Sequence, residues 1–200
     1  MPNATKPKKA TIEMPLILFK DQDAWEKWLA KNHEDAPGVW LQFAKKNSEL
    51  TSVNYKEALD VALCYGWIDS LVKSIDADTY MQKFTPRGKK SLWSQINREK
   101  VAVLTKAKKM RPAGVAAVEA AKADGRWDAA YSSPSNATVP DELQKALNKN
   151  RKAKAFFETL NKSNRYAIIW RIQTAKKPET KTRRVEELVA MLTRGEKIHM

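Results

Sequence analysis

The sequence has one cysteine, two histidines and no long apolar run, and each shortage excludes a class of protein. The single cysteine, Cys64, excludes an internal disulfide, and no group of residues has the spacing of a zinc site. Residues 166–170 are among the longest apolar runs, whereas a helix needs roughly 20 apolar residues to cross a bilayer. The apolar stretch 16–19 ends at once in Lys20 and Asp21, unlike a secretory signal. We therefore expect a cytoplasmic protein without a transmembrane segment.

Catalytic motifs are also missing. Neither His33 nor His199 belongs to a nucleophile motif, and there is no Gly-x-Ser-x-Gly, Walker loop or His-Glu-x-x-His. An acid–base pair would have to come from Glu57, Asp60 and Asp69, and surface carboxylates three residues apart on a helix are usually solvated. The sequence therefore predicts no catalytic residue, metal or cofactor. An enzyme of unidentified reaction is the third functional alternative, beside a binding or stress-protection protein and an electrostatic binder of nucleic acid or lipid.

The chain does have a large excess of positive charge. Its 200 residues carry a net charge of +14, and 42% of them are hydrophobic, which is enough for a real core. Residues 1–131 hold 22 basic and 16 acidic side chains, a net +6, and residues 141–200 hold 15 and 7, a net +8. This asymmetry favours an anionic partner for the C-terminal part, such as nucleic acid or lipid. The alternative is a solvated, lysine-rich surface.

Composition and periodicity divide the chain into four parts. Residues 1–11, rich in lysine and proline, predict a flexible basic tail. Residues 12–131 predict an α+β domain, and residues 141–200 show only helical periodicity, which predicts an all-α C-terminal domain. Residues 132–140 have no charge but much serine and proline, and so predict a surface linker. Within the C-terminal part we expect one shared apolar cluster that includes Phe156, Phe157, Trp170 and Leu188.

The α+β domain is predicted to hold a small antiparallel sheet with packed helices. Residues 16–19 and 39–43 have the composition of strands, and residues 67–85 that of a β-hairpin. Asn54 and Glu57 have the spacing of a capping box, which predicts the start of a helix.

Several uncommon strings occur in a fixed order. They are Glu-Ala-Leu-Asp-Val-Ala-Leu-Cys-Tyr-Gly-Trp-Ile-Asp-Ser at 57–70, Phe-Thr-Pro-Arg at 84–87, Ser-Leu-Trp-Ser-Gln-Ile-Asn at 91–97, Met110 with Gly114, Gly-Arg-Trp-Asp-Ala-Ala-Tyr at 125–131, and Ala175-Lys, Glu179-Thr and Arg183-Arg. Together they resemble the YdeI/OmpD-associated (bacteriocin-protection) family over most of residues 15–193, the string at 57–70 most specifically. One departure is Lys108-Lys109, which stands before Met110 where the family pattern has a glycine. The resemblance implies a binding or stress-protection protein and brings no reaction with it.

The same strings contain a candidate ligand site. Its residues are Trp67, Asp69, Arg87, Trp93, Ser94 and Asn97. Trp67 and Asp69 share one face of the first hairpin strand, and Arg87 follows the second strand. Aromatic walls, a carboxylate and a fixed cation would suit a small polar or anionic ligand, or a peptide segment. The alternative is a structural Asp69–Arg87 pair with both tryptophans in the core.

A second candidate site is a cationic helix face near the C-terminus. Lys177, Lys181 and Arg184 recur at i, i+4 and i+7 and would present point charges to phosphates without reading bases. No recognisable nucleic-acid-binding motif accompanies them, and the alternative is the solvated face of a core helix.

Overall fold

A computed structural model describes residues 13–199, in which the chain forms four strands and eight helices. The elements are β1 Leu16–Leu18, α1 Gln22–Asn32, β2 Val39–Ala44, α2 Tyr55–Cys64, β3 Trp67–Ser74, β4 Thr79–Pro86, α3 Gln95–Lys106, α4 Pro112–Ala123, α5 Asp141–Asn148, α6 Arg151–Thr159, α7 Lys162–Gln173 and α8 Pro178–Thr193. The predicted α+β class with a helical C-terminal part is confirmed. None of these helices is both long and apolar enough to cross a membrane. The tail predicted at 1–11 lies outside the described residues.

The chain folds into two compact units. Among the described residues, the first unit comprises 13–91 and 100–120, and the second comprises 92–99 and 121–199. Helices α3 and α4 therefore contribute residues to both units. Each unit is described by itself below.

The sheet of the first unit is mixed, with the strand order β1-β2-β4-β3. The hairpin predicted over 67–85 is confirmed as the antiparallel pair β3–β4, and β2 also runs antiparallel to β4. The prediction of a wholly antiparallel sheet is wrong at one pair, because β1 runs parallel to β2. Helix α1 lies between these two strands in the chain and provides the crossover connection that parallel strands require.

The core of the first unit is built from aromatic rings on one face of the sheet. Val39, Leu41 and Phe43 alternate along β2 and are all buried. Trp25 of α1 stacks on Trp28 with ring centroids 5.4 Å apart, and its indole N–H donates to the carbonyl oxygen of Ala58 at 3.0 Å. This hydrogen bond ties α1 to α2 within the apolar core, where an unpaired indole N–H would be costly.

Two glycines allow helix α4 to approach the end of α2. A Cβ atom on Gly114 would lie 2.1 Å from the carbonyl oxygen of Cys64, and one on Gly66 would lie 2.8 Å from that of Ala113. Gly66 also has a φ of +72°, in the left-handed region. The backbone N–H of Arg111 donates to the same Cys64 oxygen at 3.0 Å, which fixes the chain just before α4 begins.

Helix α3 ends in a left-handed residue that is not glycine. Lys108 has a φ of +57°, and its N–H donates to the oxygen of Thr105 at 3.0 Å. The N–H of Lys109 donates to the oxygen of Leu104, also at 3.0 Å, which completes a Schellman motif. The lysine therefore brings backbone strain to a turn that glycine adopts freely.

We expect Lys108→Gly to raise the free energy of unfolding by about 0.5–1 kcal/mol, because it removes the left-handed strain. Lys106→Gly is the matched control, since Lys106 has helical backbone in the last turn of α3. The control should lower stability by a similar amount. Urea denaturation measures the free energy of unfolding of both variants. Equal changes in the two variants would show that Lys108 stores no backbone strain.

The helices of the second unit surround one apolar cluster. Its buried members are Leu143, Leu147, Ala153, Phe157, Leu160, Ile168, Ile172, Val185, Leu188 and Leu192. The predicted shared cluster is therefore right for Phe157 and Leu188, and Phe156 packs against it half-buried. It is wrong for Trp170, which lies outside the cluster and is 37% exposed.

Residues 132–140 form neither helix nor strand. The segment begins with the buried Ser132 and Ser133, and its other residues are half-buried or exposed. The carbonyl oxygen of Ser132 accepts a hydrogen bond from the hydroxyl of Tyr166 at 3.0 Å, which fixes the start of the segment against α7. The predicted division of the chain at 132–140 stays a prediction.

Candidate functional site

The six residues of the predicted ligand site are divided between the two units. Trp67, Asp69 and Arg87 belong to the first unit, whereas Trp93, Ser94 and Asn97 belong to the second. Ligand binding by these residues stays a prediction, and the structure gives each of them local contacts.

In the first unit, Trp67 is a core residue. Its ring meets those of Trp25 and Trp28 edge-on, with centroids 6.3 and 6.0 Å apart, and its indole N–H donates to the carbonyl oxygen of His33 at 3.2 Å. The backbone N–H of Arg87 donates to the oxygen of Gly66 at 2.9 Å, which holds the end of the hairpin.

Asp69 accepts hydrogen bonds from two residues that the sequence analysis did not place in the site. Its Oδ2 accepts from the Tyr55 hydroxyl at 3.0 Å and from the Gln82 side-chain amide at 2.7 Å. Burial, and then the negative charge of Asp69, raise the pKa of Tyr55, so this phenol stays protonated and keeps donating at neutral pH. In the sequence, Tyr55 continues the helical spacing of the apolar residues Ala58, Leu59 and Ala62, which conceals the role of its hydroxyl.

In the second unit, Ser94 lies at the start of α3 and its hydroxyl accepts from the N–H of Asn97 at 3.2 Å, as a helix-capping residue does. Trp93 is buried edge-on against Trp127, with ring centroids 4.9 Å apart. The guanidinium of Arg98 covers the same Trp127 ring at 5.2 Å from its centroid.

Two residues of the predicted cationic face have partners within the second unit. The Nζ of Lys181 lies 2.6 Å from a carboxylate oxygen of Glu142. The guanidinium of Arg184 donates to the carbonyl oxygen of Arg171, at the end of α7. Lys177 is exposed at the start of α8. Anion binding by this face stays a prediction.

The one cysteine is a buried thiol. Burial raises the pKa of Cys64 to about 11, so the thiol is protonated at neutral pH and is a poor nucleophile. Across residues 13–199 there is no group of three or more histidine, cysteine or acidic side chains placed to hold a metal ion.

The second unit has an open, partly aromatic groove along α7. Its residues on the helix are Ser163, Tyr166, Ala167, Trp170 and Arg171. They follow each other at i, i+3, i+4, i+7 and i+8, so they form one continuous helix face. Tyr131 closes one side with its ring edge-on to that of Trp170, at 6.2 Å between centroids.

The other side of this α7 groove is the C-terminal segment, which a buried asparagine holds in place. Asn164 is 2% exposed, and its amide oxygen accepts from the N–H of His199 at 2.8 Å. Its amide nitrogen donates to the carbonyl oxygen of His199 at 3.2 Å. Because both backbone groups of His199 are bonded, Ile198 and His199 stay against α7 and line the groove.

The α7 groove combines aromatic faces with a cation. Its volume is about 500 Å³, and the exposed indole of Trp170 lies beside the half-buried ring of Tyr166. The guanidinium of Arg171 is exposed and forms no ion pair with any other residue in 13–199. Such a surface can bind an apolar or aromatic side chain next to a carboxylate.

The sequence contained a signal for this groove. Tyr166, Ile169 and Trp170 have the spacing of one apolar stripe, but the buried residues of α7 are Asn164, Ile168, Ile169 and Ile172. Residues two apart on a helix point in nearly opposite directions, so Tyr166 and Ile168 do not share a face. A helix with apolar residues on two faces therefore indicates that one of them lies outside the local core.

Comparison with known families assigns the two parts of the chain to different families. Residues 17–117 match the family described as a domain of unknown function (DUF8412). Since this match covers just over half of the chain, the protein belongs to that family. Residues 136–195 match the family described as "Bacteriocin-protection, YdeI or OmpD-Associated". No curated protein and no solved structure gave a significant match.

The second match confirms the resemblance inferred from the sequence. It covers the segment that contains the five α7 residues of the groove. The string at 57–70, which carried the resemblance most specifically, lies within the other match, as do those at 84–87 and 91–97.

Proposed function

We propose that this chain is a cytoplasmic binding protein of bacteriocin protection, and that it binds a peptide segment in the α7 groove. Membership of residues 136–195 in the bacteriocin-protection family supports the process. The observation that carries the binding role is Trp170, a large aromatic residue left 37% exposed on a concave surface between Tyr131 and Tyr166.

The chemistry of the groove supports a peptide more than a compact metabolite. The groove is open along one helix face, and peptide recognition commonly places the apolar side chains of a segment in such an open groove. Tryptophan and arginine are the residues that most often dominate binding energy at interfaces, and here Trp170 and Arg171 are neighbours. An aromatic or aliphatic side chain would cover the indole while a carboxylate of the same peptide pairs with Arg171.

We expect Trp170→Ala to weaken binding of the peptide by about 2 kcal/mol, or roughly thirtyfold in affinity. The inhibitory concentrations of a panel of peptide bacteriocins are first measured on a strain that carries the gene for this protein and on a strain that lacks it. The peptide that gives the largest difference in inhibitory concentration is then labelled and titrated with the full chain. Trp170→Ala should also reduce protection in cells to the level of the strain without the gene.

Arg183→Gln is the control variant, because Arg183 is exposed on α8 and pairs with Glu187 at 3.7 Å, outside the groove. It should bind and protect like the wild type, and immunoblots should show equal levels of all variants. If deleting the gene changes no inhibitory concentration in the panel, the proposed role in bacteriocin protection is wrong. If Trp170→Ala binds the protective peptide normally, the groove is not the binding site.

A further inference from the structure

The first unit contains a cavity of about 280 Å³ whose walls carry both signs of charge. Residues of α1, α2 and the end of α3 line it, and all of them belong to the first unit. Three carboxylates, Glu26, Glu57 and Asp60, face three cations, Lys108, Lys109 and Arg111. The lining is therefore balanced in charge.

One wall is a single face of α2. Glu57, Asp60, Val61 and Cys64 recur at i, i+3, i+4 and i+7, which places them on one side of the helix. Glu57 is half-buried, and its Oε2 accepts from the backbone N–H of Asn54 at 3.2 Å in the confirmed capping box. Its Oε1 accepts no hydrogen bond from the described residues, so a donor in the cavity can reach it.

Three other charged residues of the lining already have ion-pair partners. Arg111 Nη2 lies 2.6 Å from Glu26 Oε1, and Asp60 Oδ1 lies 2.5 Å from the Nζ of Lys100. Lys108 and Lys109 differ, because both are exposed and form no ion pair with another residue in 13–199. One carboxylate of the lining, that of Glu57, and two ammonium groups, those of Lys108 and Lys109, therefore form no ion pair with a described residue.

The backbone of Lys108 is a separate indication of a role at this cavity. Its left-handed conformation stores strain, and strained residues that persist in a fold cluster at ligand sites. Lys108 and the next residue, Lys109, both line the cavity.

The floor of the cavity is apolar. Val61, Cys64 and Leu104 are all buried and contribute to the lining. After burial itself, the nearby carboxylates of Glu26 and Asp60 raise the pKa of the Cys64 thiol, whereas Arg111 and Lys109 lower it. Charges of both signs therefore surround the protonated thiol, which acts here as an apolar surface.

We propose that this cavity binds a free amino acid with an aliphatic side chain. The ligand ammonium pairs with Glu57, its carboxylate pairs with Lys108 and Lys109, and its side chain rests on the apolar floor. A ligand with only one charge could pair with Glu57 or with the two lysines but not with both, whereas a zwitterion supplies a group of opposite charge to each. This site lies in the first unit and does not depend on the proposed function of the α7 groove.

The test is calorimetric titration of the full chain with L-leucine. N-acetyl-L-leucine lacks the ammonium group and L-leucine amide lacks the carboxylate, and each should bind at least about tenfold more weakly. Glu57→Gln keeps the capping box, since glutamine serves at that position, and should weaken leucine binding about tenfold. Lys109→Gln should do the same.

Lys106→Gln is the matched control, because Lys106 is exposed on α3 and does not line the cavity. It should leave leucine binding unchanged, and circular dichroism should show that all variants keep the wild-type fold. The proposal is overturned if leucine gives no saturable heat up to about 10 mM, or if either blocked compound binds as tightly as leucine. Equal losses in Lys106→Gln and Lys109→Gln would also overturn it.

Discussion

Gly114→Ala is expected to lower the free energy of unfolding by about 3 kcal/mol or more. A Cβ atom at this position would lie 2.1 Å from the carbonyl oxygen of Cys64 and 2.7 Å from its carbonyl carbon. Neither atom belongs to a flexible side chain, so helix α4 has to move away from α2. The hydrogen bond from Arg111 to the same oxygen should be lost with that movement.

Urea denaturation followed by tryptophan fluorescence measures this change. Gly88→Ala is the matched control, because a Cβ atom there meets only the Ser91 hydroxyl, at 3.7 Å. The control should stay close to the wild type in stability. A Gly114→Ala protein as stable as the control would show that α2 and α4 do not approach as closely as described.

Trp67→Ala is expected to cost about 3–5 kcal/mol, since it empties the centre of an aromatic core and leaves the His33 carbonyl oxygen without its donor. Trp67→Phe keeps a ring in the same place and should cost less, about 1–2 kcal/mol. Chemical denaturation of both variants separates the contribution of the ring from that of the indole N–H.

This comparison also distinguishes the two roles considered for Trp67. A core residue lowers stability when it is truncated, whereas the wall of a ligand pocket tolerates truncation and loses ligand affinity. A Trp67→Ala protein with nearly wild-type stability would favour the ligand pocket. A large loss would favour the structural role.

Much of the fold was predictable because local signals and packing agreed. The alternation in 67–85 predicted the β3–β4 hairpin, and the Asn54/Glu57 spacing predicted the start of α2, where both side chains form the capping box. The parallel pairing of β1 was missed because strand direction depends on the crossover between strands and not on the strand residues themselves.

The candidate sites were less predictable than the fold. A capping or core role and a binding role use the same residue types. For Trp67, the core role becomes visible in the structure, where the side chain is buried and its indole N–H donates to the His33 carbonyl oxygen. The charged cavity gave a weak signal, since Glu57 and Asp60 were recognised as one helix face but their opposing lysines come from a distant turn. Such a site depends on long-range packing, which periodicity does not report.

The bond between Asn164 and the backbone of His199 has a practical consequence for engineering. Because the end of the described chain is held at the rim of the α7 groove, a peptide fused there through a short flexible linker would begin next to its own binding surface. Its effective concentration would be in the millimolar range, so weak sequences would occupy the groove without being added in excess. Fusion libraries could therefore search for the preferred peptide sequence by selecting for resistance to proteolysis.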